Sequence, residues 1–177
     1  MKKIFLMAIT ALVLFATTGC EKETENGKDI NTPRTGNVPD ELVGRWAIVG
    51  ISGSTVYDIP AGSTHNTNEY FLGFKINKDG TTQEDGYISV YQYGATTWTR
   101  WTAYGTVQIE GSNIAFHRAY GGYTSSRNSA TTKFGAAETY PNKSLAFQEF
   151  EIGQNSRGEL ALFLLDEDGD VHTYVKQ

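Results

Sequence analysis

After Val43 no stretch of this chain keeps a helical period. Short runs of alternating apolar and polar residues follow one another instead, and clusters of Gly, Asn, Asp, Ser and Thr separate them. In residues 70–76, Tyr70, Leu72, Phe74 and Ile76 fall on one side, the pattern of a strand with one face buried. The same reasoning predicts strands over residues 46–51, 87–93, 97–109, 114–118, 145–152, 160–165 and 171–176. Within 145–152 the phase of Leu145 and Phe147 is opposite to that of Phe150 and Ile152, which predicts a bulge near Gln148-Glu149. Asn77-Lys78-Asp79-Gly80 and Glu110-Gly111-Ser112-Asn113 read as tight turns. Eight strands joined by consecutive hairpins imply an all-β fold, an eight-stranded antiparallel up-and-down barrel, since closure removes the sheet edges.

A length of 177 residues fits one folded domain with short appendages. Tyr (10), Phe (9) and Trp (3) suit pleated half-buried surfaces, and Gly (19) suits the turns between them. A net charge of −5 lacks the basic face that nucleic acid requires. The single cysteine, Cys20, excludes an intrachain disulfide.

Met1-Lys2-Lys3 is a positive leader, and residues 4–16 form an apolar run too short to span a bilayer. Thr17-Thr18-Gly19 then brings small residues up to Cys20. This resembles the lipobox of bacterial lipoproteins, with Thr17 where that family usually has leucine. The resemblance implies cleavage before Cys20, acylation of Cys20 by a palmitate-type chain, and anchoring in the outer membrane. Residues 1–19 are then the signal peptide, 20–40 a flexible tether and 41–177 the domain. The tether is poor in large apolar side chains, too few to offset the entropy of ordering. Loss of residues 1–19 removes Lys2 and Lys3 and leaves a charge of −7. Glu21-Lys22-Glu23 is similar to the acidic signal that directs some lipoproteins to the cell surface.

Two connections are long and polar, residues 53–68 and 119–143. Loops of that length are often functional, and consecutive hairpins put both at one end of the barrel, where they form a rim. Gly44-Arg45-Trp46 resembles the Gly-x-Trp of the lipocalin superfamily. The whole pattern from Val43 to Gln177 is similar to the lipocalin-like domains of secreted bacterial lipoproteins. That resemblance implies that Trp46 plugs the closed end under a basic side chain of the last strand. Lys176 stands there, where lipocalins usually carry arginine.

His65, His117 and His172 have no metal-ligand spacing, and His117 falls on the strand face opposite the core. Asp166 to Asp170 is out of register with an EF-hand and reads as a hairpin. No phosphate loop or nucleophile elbow occurs. The expected function is non-enzymatic and without cofactor: a surface-tethered barrel that binds a small molecule, lipid or glycan at its open mouth. Tyr91, Trp98, Tyr104, Tyr120 and Tyr123 are the expected contacts, as aromatics off the core phase or in the long loop. Two other readings stay open, a β-sandwich that binds glycans as an adhesin module, and an enzyme or protease inhibitor.

Overall fold

The computed structural model describes residues 24–25, 28–51, 69–92 and 95–177. Ten strands form one antiparallel sheet. They are β1 (Gly44–Ile51), β2 (Glu69–Ile76), β3 (Thr81–Gln92), β4 (Ala95–Glu110), β5 (Asn113–Ser125), β6 (Asn128–Lys133), β7 (Ser144–Phe147), β8 (Glu149–Gln154), β9 (Leu160–Leu165) and β10 (Val171–Lys176). The hydrogen-bonded order is β8-β9-β10-β1-β2-β3-β4-β5-β6, and β7 lies on β5. A separate two-residue ladder joins Thr24–Glu25 to Lys28–Asp29. Among the described residues there is no α-helix, only one 3-10 turn over Ala136–Glu138.

The sheet curls on itself. Phe74 of β2 stacks on Phe116 of β5 at 4.2 Å, although two strands lie between them. Phe74 and Phe116 therefore mark an inner face, which they share with Trp46, Ile76, Val107, Ile114, Leu162, Leu164 and Tyr174. Each large apolar side chain buried there contributes on the order of 1.5–3 kcal/mol. First and last strands meet as the sequence pattern predicts: Val175 pairs with Ala47, Lys176 with Trp46, and the Gln177 N–H donates to Arg45 O at 2.9 Å.

The expected ring of eight strands is not what is found. There are ten strands, and the path of the sheet ends at β8 and β6 without closing. One extra strand, β6, comes from residues 119–143, expected to be a loop, and the other from the expected strand 145–152, which is found as two, β7 and β8. A bulge between Tyr104 and Gly105 of β4 leaves Ala119 unpaired and lets β5 run on to Ser125. There it turns into β6 through Gly122↔Lys133 and Tyr123↔Thr132. The bulge shifts the inner phase from Phe116 and Arg118 to Gly121 and Tyr123, so the alternation that defines β5 breaks at Ala119. The phase change expected near Gln148-Glu149 is present, as a break between β7 and β8. Leu145 and Phe147 face Phe116 and Ile114, then after Gln148 it is Phe150 and Ile152 that face Leu164 and Leu162.

One end of the core is plugged. Trp46 Nε1 donates to Leu42 O at 2.7 Å, and Val38 and Leu42 are fully buried beside it. The Lys176 ammonium lies 5.0 Å from the centre of the Trp46 ring. Residues 30–40, expected to belong to the tether, are packed against this end. Ile30 and Val38 are buried. The Thr35 N–H donates to Val107 O at 2.9 Å, Thr35 Oγ1 accepts from the Ile109 N–H at 2.8 Å, and Thr106 Oγ1 donates to Pro33 O at 2.6 Å. β3 starts only at Thr81, so the end of β4 past Thr106 is an unpaired edge that this segment covers. A few side chains anchored at an edge order a stretch whose average composition looks like linker. The other expected rim loop, residues 53–68, and Cys20 lie outside the described residues, as does the leader.

Candidate ligand site at the mouth

The end opposite Trp46 is where β1, β3 and β5 finish and β2 and β4 begin. Here the inner face carries apolar side chains that no described residue of the core covers. Tyr70, Ile88 and Val90 are 47%, 44% and 38% exposed, against 2% for Phe74 further down the same face. A groove of about 280 Å³ runs over this surface, walled by Ile88, Val90, Thr99, Tyr123 and Ser125, with Arg127 at its lip.

Below the groove the inner face becomes polar. Glu84 of β3 is 4% exposed and sits directly opposite Phe74 in the sheet. Arg118 of β5 grips it with two hydrogen bonds, Nε to Oε2 at 2.7 Å and Nη2 to Oε1. Trp101 Nε1 donates to Glu84 Oε1 at 2.8 Å. The Trp101 indole lies across Gly86, where an added Cβ would stand 2.0 Å from the ring, so only glycine admits it. The Arg118 guanidinium lies 5.7 Å from the centre of the Phe134 ring. A buried carboxylate is tolerable only with such partners. The Tyr174 hydroxyl faces the same cluster, and burial with the nearby Glu84 charge pushes its pKa well above the usual phenol value.

The five aromatics singled out in the sequence do not converge. Tyr123 is on the inner face, paired with Trp101, and lines the groove. Tyr91, Trp98, Tyr104 and Tyr120 fall on the opposite face by register, although Trp98 also borders the groove. Tyr104 stacks on Tyr120 there at 5.1 Å, and Trp98 stands opposite Ser89. The groups the pattern missed are Glu84, Trp101 and Arg118. The available signal was a charged residue at an inward position: Glu84 is in phase with Ile88, and Arg118 with Phe116.

Away from the mouth, His117 is buried at 7% exposure and not the surface group its outward phase suggested. Its Nδ1 lies 2.8 Å from Ser144 Oγ, its Nε2 3.0 Å from Gln108 Oε1, and Tyr140 packs edge-on against the ring. Burial lowers its pKa from the ordinary 6.5. The unfolded chain therefore takes up this proton at higher pH than the folded one. The stability contribution of the neutral ring is complete above about pH 6.5 and is lost as pH falls through the lower folded value. Urea midpoints at about pH 8 and about pH 5.5 should differ more for the native chain than for His117→Gln. Equal pH dependence in the two would show that His117 does not carry the effect.

His172 Nε2 lies 2.8 Å from Asp166 Oδ2, while Asp166 Oδ1 accepts from the N–H groups of Asp168 and Asp170. The acidic loop is thus held by its own backbone as a hairpin. No group of His, Cys, Asp or Glu is placed to hold a metal among the described residues, and none of their helices is long and apolar enough to cross a membrane. Comparisons with protein-family models, curated proteins and solved structures give no match.

Proposed function

We propose that this chain is a lipid-anchored, lipocalin-like barrel of an outer membrane that binds an amphipathic ligand at its mouth and catalyses nothing. The observation that carries the binding site is the contrast along one face. Trp46 closes one end, and Tyr70, Ile88 and Val90 stand exposed at the other. A barrel filled throughout by its own side chains has no reason to keep three large apolar groups in water on its inner face.

Three features support the barrel. β10 pairs with β1. β7 and β8 are one strand interrupted at Gln148, whose first half lies on β5 and second half on β9, so the two flanks of the sheet are bridged. The Lys176 ammonium over Trp46 matches what the lipocalin resemblance implies. Pairing of first and last strands also weighs against the sandwich. Anchoring through Cys20 remains part of the proposal on the strength of the lipobox alone.

The test is a titration with the neutral dye N-phenyl-1-naphthylamine, whose emission rises in apolar sites. The native domain should bind it saturably, and Ile88→Asp, which puts a charge on the groove wall, should weaken it by at least about ten-fold. Binding that is absent, or indifferent to Ile88→Asp, would remove the mouth as the site.

A further inference from the structure

We infer that the ligand is a single-chain amphiphile with an anionic head, its chain lying across the strands of the mouth and its head held at the β5–β6 turn by Arg127, Ser125 and Ser126. This rests on the mouth being the binding site.

One row of paired residues crosses the inner face at the groove. Tyr70 of β2 pairs with Ile88 of β3, Ile88 with Thr99 of β4, and Thr99 with Ser125 of β5. Three strand spacings make that row about 14 Å long. Along it the side chains change from exposed apolar groups to hydroxyls, and Arg127 follows two residues after Ser125, in the turn to β6. Val90 and Thr97 repeat the change in the next row. The apolar and polar sides of the groove are thus separated across the strands, and a ligand that meets both lies across them. The groove's volume of about 280 Å³ is at the small end of small-molecule sites, about 300–1,000 Å³, which suits one chain and not two.

The polar side offers donors. Ser125 Oγ accepts from the Asn128 N–H at 3.2 Å and Ser126 Oγ from the Trp98 N–H at 3.2 Å, so each hydroxyl still has its hydrogen to give. Arg127 is exposed, lines the groove, and its side chain makes no hydrogen bond or ion pair with the described residues. No carboxylate answers these groups. In a chain of net charge −5, β3 from Gly86 onward, β4 before Glu110, β5 and β6 contain no Asp or Glu, and no acid lines the groove. Glu84, deeper on the same face, is already balanced by Arg118. A head that carries negative charge and only accepts hydrogen bonds matches such a set. A neutral head gains less from Arg127, and a cationic head is repelled by it.

The experiment is displacement of N-phenyl-1-naphthylamine by three probes with the same twelve-carbon chain, each below its micelle concentration. They are dodecanoate, 1-monododecanoylglycerol and dodecyltrimethylammonium. At low salt the native chain should bind dodecanoate at least about five-fold more tightly than either other probe. That preference should shrink at about 0.5 M salt, because Arg127 is exposed and its field is screened. In Arg127→Gln, an exposed turn position whose change leaves the fold intact, dodecanoate should fall to within about two-fold of the glyceride. A native preference below about five-fold, or one that survives Arg127→Gln, would overturn the inference and leave the mouth intact as a site. Failure of all three to displace, together with dye binding indifferent to Ile88→Asp, would instead overturn the site itself.

Discussion

A chain ending at Asp170 should show no cooperative unfolding transition. Residues 171–177 supply β10, which lies between β9 and β1, so its removal frees two edges at once. It also takes Tyr174, 1% exposed and packed 5.4 Å from Phe74, and the Lys176 side chain that covers Trp46. Truncating one buried aromatic of this size costs on the order of 3–5 kcal/mol. Whole domains are stable by only about 5–15 kcal/mol. Adding the lost ladder and the uncovered plug exceeds what such a domain holds in reserve. Near-ultraviolet circular dichroism and urea titration are the measurements. A truncated chain with native aromatic signal and an unchanged urea midpoint would mean that β10 is an accessory strand and that Trp46 is not held from that side.

The parts of this fold that were legible in the sequence are those where inward positions are apolar. β2 shows this with Tyr70, Leu72, Phe74 and Ile76, and β10 belongs beside β1 because both are short and a free edge is a hazard. The phase change at Gln148 was visible because large apolar residues stand on both sides of it. Where the inward residues are Thr82, Glu84 and Gly86, no hydrophobic period exists to see, and the pattern places the start of β3 six residues late. Likewise β5 was ended at Arg118, because the bulge at Ala119 and the glycines Gly121 and Gly122 erase the alternation. The two blind stretches are the two that carry Glu84 and Arg118, the buried ionic pair. A polar cluster on the inner face of a sheet has to break the alternation that announces the sheet. The aromatics off the core phase failed as a guide for the complementary reason. Outward Tyr104 and Tyr120 satisfy each other by stacking, whereas Trp101, placed in the core phase, is the ring that touches the ionic cluster.

Replacing Arg118 by methionine alone should cost the domain on the order of 3–5 kcal/mol, the usual penalty for leaving one partner of a buried ion pair unmatched. The Glu84 side chain is 5% exposed and the Arg118 side chain 16%, so water cannot take over the lost bonds without opening the cluster. Of its partners Glu84 would keep Trp101 Nε1, a single neutral donor. Methionine is close to arginine in length and fills the space against Phe134, so a packing defect is a small part of the effect. The pair Glu84→Gln with Arg118→Met separates charge from volume. Glutamine keeps an oxygen for Trp101 and removes the unmatched charge, so most of the lost stability should return, as it does when buried pairs are replaced together. Urea denaturation of the native chain, both single variants and the double variant gives the coupling energy directly. A single Arg118→Met loss below about 1 kcal/mol, the range of surface pairs, would show that Glu84 and Arg118 meet at a hydrated edge and not in a dry interior.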